Sequence, residues 1–545
     1  MVTIVGEAGV GKSRLVAEAL ATIDARVVQG RCLPYGDGIT YWPVVEVVKE
    51  LGTLPSNPAV AAALRALLGE SEGTTTTEEI ARAFRKLLEE QAPLVAVFDD
   101  LQWGEETFHD LVESIALLAS EAPILLLCLA RPELLTRRSE WPVALRLEPL
   151  RDEDVAELIG DRVPETVRDR IAHAAGGNPL FVTEMLAMAS GSAEVDVPLT
   201  LRALLAARLD QLDPPDRRLL ERAAIEGETF HRGAVQALAP DEPQVTHRLA
   251  SLTRRELIRP DKAQIAGEDA FRFRHLLIRD AAYDGIPKAV RADLHERYAD
   301  WLAERGSGLV ELDQLLGYHL EQACRYRREL GRPVAPALAA RARGHLTAAG
   351  RRAYRRRDED AAASLFSRAA ALLEPDELDL ALELDLGNSL FRSGAAQSAV
   401  ERNVAATKQA AARGDHLSEL ALCVQGGTLD VFLATEGAVG RLEELVSQAV
   451  PKFKATGHHV ALAEANLGAW LVATVRGLHD DAAAAADHAL ENARLAGLPH
   501  YDAHLLPAAA RGRWYGSTPI PELLHWLDAQ EQAGSTNHIL RLTRV

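Results

Sequence analysis

Residues Gly6 to Ser13 read Gly-Glu-Ala-Gly-Val-Gly-Lys-Ser, the spacing G-x-x-x-x-G-K-[ST] with which a chain wraps an anion. The glycines let the backbone close around a phosphate, so that successive N–H groups and a helix N-terminus point at negative charge. Gly6, Glu7, Ala8, Gly9, Val10, Gly11, Lys12, Ser13 and Arg14 are the candidate phosphate-binding residues. Lys12 would reach the β- and γ-phosphates of a bound nucleotide, and the Ser13 hydroxyl would complete a Mg²⁺ shell. The alternative is a glycine-rich turn without a ligand. The context favours the phosphate: an apolar run, Met1-Val2-Thr3-Ile4-Val5, precedes the loop, and a helical pattern, Arg14-Leu15-Val16-Ala17-Glu18-Ala19-Leu20, follows it.

A second set of groups sits at the ends of other apolar runs. Leu94-Val95-Ala96-Val97-Phe98 ends in Asp99-Asp100. A phosphate-loop protein needs a carboxylate there, so Asp99 is the candidate Mg²⁺ holder, through water, and Asp100 the group that orients or deprotonates an attacking water. Both acids could instead cap a helix beginning near Glu105. Arg131 follows the run 124–129 and would reach the γ-phosphate; otherwise it is a surface arginine before Pro132. Gly177-Asn178-Pro179 interrupts a helical stretch, either as an interhelical turn with Pro179 opening the next helix or as a rigid platform against adenine. His275 stands at a predicted helix start, where a lone histidine is more often structural than a ligand. The loop 30–43, rich in glycine and aromatics, has no chemistry that assigns it a role. Arg351, Arg352 and Arg355 to Arg357 read as a solvated helix face beside Asp358-Glu359-Asp360.

The elements that must position these groups follow from periodicity. Strand candidates at 2–5, 26–29, 94–98, 124–129 and 145–147 alternate with helical stretches that include 44–51 and 80–90, which predicts a parallel sheet covered on both faces over residues 1–150. Residues 151–198 read as a helical unit, with Asp152 as N-cap and a polar boundary at 191–196. In 199–305, helices at 201–212 and 217–225 precede a hairpin, 257–260 with 271–274, as in a winged helix. Residues 306–545 are helical throughout. The stretch 350–375 places Ala361, Ala362, Ala369 and Pro375 much like a tetratricopeptide unit, with echoes at 386–411 and 462–496, so stacked repeats are expected. The tail 537–545 does not resemble a polar capping helix.

Bulk properties narrow the partners. The 545 residues are 48% hydrophobic and 26% charged, with a formal net charge of −19, a surface that argues against direct nucleic-acid or anionic-membrane binding. Cys32, Cys128, Cys324 and Cys423 have no metal-ligand or disulfide-framework spacing, which fits a reducing cytoplasm. No apolar run is long enough to span a bilayer, and no signal peptide is apparent.

Together, the loop at 6–13, the stretch 30–43, Asp99-Asp100-Leu101-Gln102-Trp103, Ala130-Arg131-Pro132, Gly177-Asn178-Pro179 and the run 273–283 resemble the STAND class of signal-transduction ATPases. They are most similar to the AAA-type ATPase and tetratricopeptide region of bacterial regulators linked to adenylate/guanylate cyclase or LuxR-type domains. The resemblance implies an α/β P-loop NTPase of ASCE/AAA type followed by helical, winged-helix and α-solenoid domains. It implies ATP/ADP and Mg²⁺ as ligands and slow hydrolysis suited to a switch. A protein or small-molecule signal would act through the repeats, and an ATP-dependent homo-oligomer is an allowed arrangement. Pro179 would contact the base, and His275 the ADP β-phosphate. The implied winged helix packs on the nucleotide domain and does not bind DNA. Relatives carry a Val-Gly-Arg-like segment before the first strand, whereas Met1 here already lies in that strand, so a longer parent protein is expected. The other reading is a non-hydrolysing repeat scaffold.

Overall fold

The computed structural model describes residues 1–33, 39–70, 75–119, 121–189 and 200–532. The stretch 34–38 of the long loop, the polar boundary at 191–196 and the tail at 537–545 lie outside the described residues. Five strands, β1 (Val2–Gly6), β2 (Arg26–Arg31), β3 (Leu94–Asp99), β4 (Ile124–Ala130) and β5 (Leu145–Leu147), form a parallel sheet in the order β2-β3-β4-β1-β5. The chain therefore leaves β1 for the far edge and returns inward, inserting β4 between β1 and β3. This is the α/β arrangement expected of a P-loop NTPase.

Burial on two sides explains why β3 is apolar along its length. Leu94, Ala96 and Phe98 pack on the face covered by the helices Trp42–Leu51, Pro58–Leu67, Thr77–Glu90 and Glu106–Leu118. Val95 and Val97 pack on the other face with Ile4, Leu127, Leu129 and Val16 of the helix Lys12–Leu20. Two local expectations change. The helix Glu106–Leu118 has Glu105 at its N-cap, so Asp99 and Asp100 do not cap it. Arg151, not Asp152, is the N-cap of the helix Asp152–Ile159; Asp152, Glu153 and Asp154 in its first turn favour the helix dipole instead.

A second sheet, β6 (Thr229–His231), β7 (Ile258–Asp261) and β8 (Ala270–Phe273), is antiparallel in the order β6-β8-β7. The hairpin of β7 and β8 was expected one residue away from its actual position. Strand β6, three residues long, is too short to leave a period in the sequence. The helices Pro214–Glu226, Arg232–Leu238 and Val245–Arg254 close a core against this sheet around Leu219, Phe230, Leu249 and Phe273.

From Leu312–Glu329 to Ile520–Gln532 the described chain is a run of antiparallel helices. Small residues allow close crossings: a Cβ on Gly350 would lie 2.6 Å from the Phe366 ring, and Ala361, Ala362 and Ala369 are buried beside it. One apolar core joins the sheet domain, the second sheet's module and the first repeats. Ile39, from the loop after β2, and Trp42, which opens the next helix, pack with Ile225, Ile265, Tyr298, Leu315, Leu346 and Phe366 in a single cluster. Among the described residues no helix is long and apolar enough to cross a membrane.

Candidate nucleotide-binding site

The inserted strand brings the expected groups to neighbouring strand ends. The loop 6–13 leaves β1, Arg131 follows β4, and Asp99 closes β3, with β4 between the other two. Lys12 registers all of them: burial first, then Arg131, lowers its pKa, while Asp99, Asp100 and Glu7 oppose the shift. Its ammonium donates to the carbonyl oxygens of Gly6 at 2.6 Å and Glu7 at 3.0 Å. Gly9 and Gly11 have φ of +82° and +110°, values that an L side chain resists. Gly11 is the N-cap of the helix Lys12–Leu20 and supplies no side-chain cap, so the first-turn N–H groups suit an anion. Ser13 is exposed at the second helical position. The Arg14 side chain turns to Glu18 at 2.7 Å on the surface, which leaves its backbone N–H as the part able to meet a phosphate.

Asp99 is buried, at 7% exposure, and its Oδ1 accepts the Asp100 N–H at 2.9 Å. Burial, and then the neighbouring Asp100 charge, push its pKa up to about 6, against the pull of Arg31. A buried carboxylate crowded by a second one is relieved by a cation. No group of three His, Cys, Asp or Glu side chains among the described residues forms a metal cage. That donor set suits Mg²⁺, which keeps several waters and takes phosphate oxygens beside one or two carboxylates.

Asp100 adopts φ 57°, in the left-handed region. Its Oδ1 accepts from Gln102 Nε2 at 2.8 Å, and Gln102 Oε1 accepts the Arg131 N–H at 3.0 Å. Gln102 thus joins the end of β3 to the end of β4. Gln102 belongs to the stretch that carries the family resemblance, but its sequence alone gives it no role; its place two residues after Asp100, in the turn Leu101–Trp103, is the only local signal of this bridge.

The Gly177-Asn178-Pro179 segment reaches the loop. Asn178 Nδ2 donates to the Ala8 carbonyl at 3.0 Å, and the Leu180 N–H meets the Gly9 carbonyl at 3.3 Å. Asn178 Oδ1 accepts the N–H groups of Leu180 at 3.0 Å and Phe181 at 3.3 Å. Pro179 opens the helix Pro179–Ala189 and is half-buried beside this contact. Gly177 has φ +77°, and a Cβ there would lie 2.4 Å from the Leu150 carbonyl. His275 is the N-cap of the helix Leu276–Asp284 and gives no side-chain cap. Burial, then Arg274 and Arg259, lower its pKa to about 4, with Glu228 opposing. It is therefore a neutral imidazole, set among the charges of Arg274, Arg259 and Glu228.

The stretch 30–43 has a role that its composition did not reveal. Thr40 Oγ1 lies 2.8 Å from Glu105 and 3.1 Å from Asp358 Oδ2, so its one proton is shared between two carboxylates, and Thr107 Oγ1 donates to Asp358 Oδ1 at 2.9 Å. The Arg356 guanidinium lies 5.7 Å from the Tyr41 ring centroid, and the Thr77 N–H donates to the Arg356 carbonyl at 2.9 Å. The solvated-face reading of the arginine run fails here. Arg356 and Asp358 are buried because the turn between the helices Pro336–Arg355 and Glu359–Ala370 docks on the sheet domain.

Comparison with known proteins agrees with the first part of this picture. Residues 1–127 match the family model of the AAA ATPase domain. An uncharacterized protein of Rhizobium meliloti (strain 1021) is 26% identical over 354 residues, 54% of this chain and 34% of that protein. The chain thus spans about a third of the length of the curated relative it matches. A Signal Transduction ATPase with Numerous Domains with a tetratricopeptide repeat sensor, from Pyrococcus horikoshii, aligns over 99% of this chain and 88% of its own at 13% identity and a TM-score of 0.38. A Rap protein complexed with competence and sporulation factor aligns over 70% and 87% at 13% identity and a TM-score of 0.28. Over residues 1–127, the span that holds the phosphate loop and Asp99, the chain is similar to the AAA ATPase domain, as the sequence resemblance implies.

Proposed function

We propose that this chain is an ATP-binding switch of the signal-transduction ATPase type, whose helical repeats receive a protein or small-molecule signal. The observation that carries the reading is the meeting of Lys12, Arg131 and the Asp99–Asp100 pair at three adjacent strand ends. The loop N–H groups and Lys12 would take the phosphates, the ammonium exchanging its contacts with Gly6 and Glu7 for phosphate oxygens. Ser13 and Asp99 would hold Mg²⁺, which supplies neutralisation of the phosphate charge. Asp100, fixed by Gln102, would orient a water. Arg131, on the same glutamine, would sense the γ-phosphate. Loss of that phosphate removes contacts to Lys12 and Arg131, which biases the packing of the later modules.

The test is Mg²⁺-dependent ATP binding and turnover by the full chain, beside Lys12→Ala and Asp99→Ala. Binding that is strong in the wild type and lost in Lys12→Ala supports the reading. Equal binding by wild type and Lys12→Ala defeats it and leaves the repeat scaffold. Turnover slower than about 1 s⁻¹, the low end of ordinary enzyme rates, is expected of a switch.

A further inference from the structure

Arg31 is the last residue of β2 and stands in parallel register with Asp99 of β3, with the Cys32 N–H donating to the Asp99 carbonyl at 3.1 Å. Its guanidinium is buried, and Nη1 lies 3.6 Å from Glu228 Oε2, beyond the sheet domain. The Nε of Arg31 has no hydrogen-bond partner. Glu228 is held on its other oxygen by Arg272 of β8, from Nε at 2.8 Å and Nη2 at 2.7 Å. The same edge is fastened beside this chain of charges: the Arg31 N–H donates to Glu46 at 2.8 Å, Gln264 donates to Glu46 at 3.2 Å, and Lys262 donates to Glu50 at 2.8 Å.

Arg31 therefore stands between two carboxylates of different modules, beside Asp99 by strand register and facing Glu228 across the contact. We propose that Arg31 is a positioning residue shared between Asp99 and Glu228, so that Mg²⁺ binding at Asp99 and docking of the second sheet on the first draw on the same guanidinium. The inference rests on the proposed nucleotide site. A cation beside Asp99 repels Arg31 toward Glu228 and tightens the contact between modules. By reciprocity, a docked Glu228 holds Arg31 off Asp99 and favours the cation.

The charges give opposite signs for two substitutions outside the proposed site. In Glu228→Gln, Arg31 is left to Asp99 and a nearby negative charge is lost. The Mg²⁺ concentration for half-maximal binding of a fluorescent ATP analogue should then rise about 3- to 10-fold. In Arg272→Gln, Glu228 draws Arg31 alone, and the same concentration should fall by about the same factor. The bare charges of Glu228 and Arg272 would give the same two signs through space, so the decisive comparison is made in an Arg31→Gln background, where both shifts should vanish. Wild-type binding that depends on Lys12 and Mg²⁺, together with opposite shifts that disappear without Arg31, supports the proposal. The same wild-type behaviour with parallel shifts, none, or shifts that persist without Arg31 overturns it while leaving the nucleotide site intact. Wild type that does not bind ATP overturns both. Should Glu228→Gln not fold by circular dichroism, Arg272→Gln decides alone: a Mg²⁺ requirement lowered only while Arg31 is present supports the proposal, and any other outcome overturns it.

Discussion

The Asn178 side-chain amide crosses from the module after the sheet to donate to the Ala8 carbonyl of the phosphate loop, 3.0 Å away. The same side chain caps the helix that Pro179 opens. One residue therefore sets both the attitude of that helix and the direction in which a loop peptide points. Turning the Ala8 carbonyl outward favours N–H groups directed inward, where a phosphate would sit.

Asn178→Ala should weaken ATP binding about 5-fold and lower stability by about 1–2 kcal/mol, through loss of the cap and of one hydrogen bond. Asn178→Asp separates the two effects. It keeps the acceptor for Leu180 and Phe181, so stability should stay near wild type while ATP affinity still falls. Titration calorimetry beside denaturant unfolding reads both.

Gly9→Ala tests the loop from the other side. Its φ is +82°, and the added methyl would lie 2.8 Å from Leu180 Cβ. Strain and the clash together should cost about 1–3 kcal/mol and separate the loop from the helix Pro179–Ala189. ATP binding should fall at least as far as in Asn178→Ala; unchanged binding would show that the contact does not shape the loop.

Asp358 accepts from Thr40 and Thr107, both in the sheet domain. Asp358→Ala leaves the half-buried Thr107 hydroxyl without its acceptor, while Thr40 keeps Glu105, and should destabilise the chain by about 1–2 kcal/mol. A double-mutant cycle with Thr107→Val should show a coupling of at least about 0.5 kcal/mol. Additive effects would mean that the contact contributes nothing to docking.

Stability should depend on pH through buried acids in the repeats. Glu464 is 1% exposed, and burial pushes its pKa up to about 7, with Asn388 opposing and Asp385 adding to the rise. Glu311 is pushed up to about 7 in the same way, against Arg356. A carboxyl raised above its unfolded value binds its proton more tightly when folded. Its contribution is full below the unfolded pKa, near 4.5, and is lost as pH rises through about 7. Thermal stability should therefore fall between pH 5 and 8. Glu464→Gln, which mimics the protonated form, should stabilise by about 2 kcal/mol at pH 8 and have little effect at pH 4. A pH profile of the variant as steep as that of wild type would count against this assignment.

The repeat packing is tested at Gly350. An added methyl would meet the Phe366 ring at 2.6 Å, so Gly350→Ala should cost about 1–3 kcal/mol by overpacking. ATP affinity should not change, because the crossing lies away from the loop.

What was legible in the sequence was whatever is local. Gly6 to Ser13 carries its own geometry in its glycines, and β3 announces itself by burial on both faces and ends in Asp99. Pro179 could be placed at a helix start from its ring alone. What was not legible depends on distant pairings. Nothing near Arg31 shows that β2 lies beside β3, and only that register puts its charge beside Asp99. Arg356 and Asp358 look solvated in a run of alternating charges; their burial comes from Thr40, Tyr41 and Thr107, hundreds of residues away. Composition identified the loop 30–43 as unusual and could not say that Ile39 and Trp42 would enter a core shared with the repeats.

That shared core has a mechanical meaning. The helical array is seated on the rim of the sheet at Asp358 and closes back on that seat: Asp385 meets His500 at 2.8 Å, and His504 lies 3.2 Å from Glu359, the residue after Asp358. Such an arrangement is a closed arch and not a free arm. A bend produced within the repeats would reach Thr40 and Thr107 from both limbs of the arch, as a change in how firmly that seat is held.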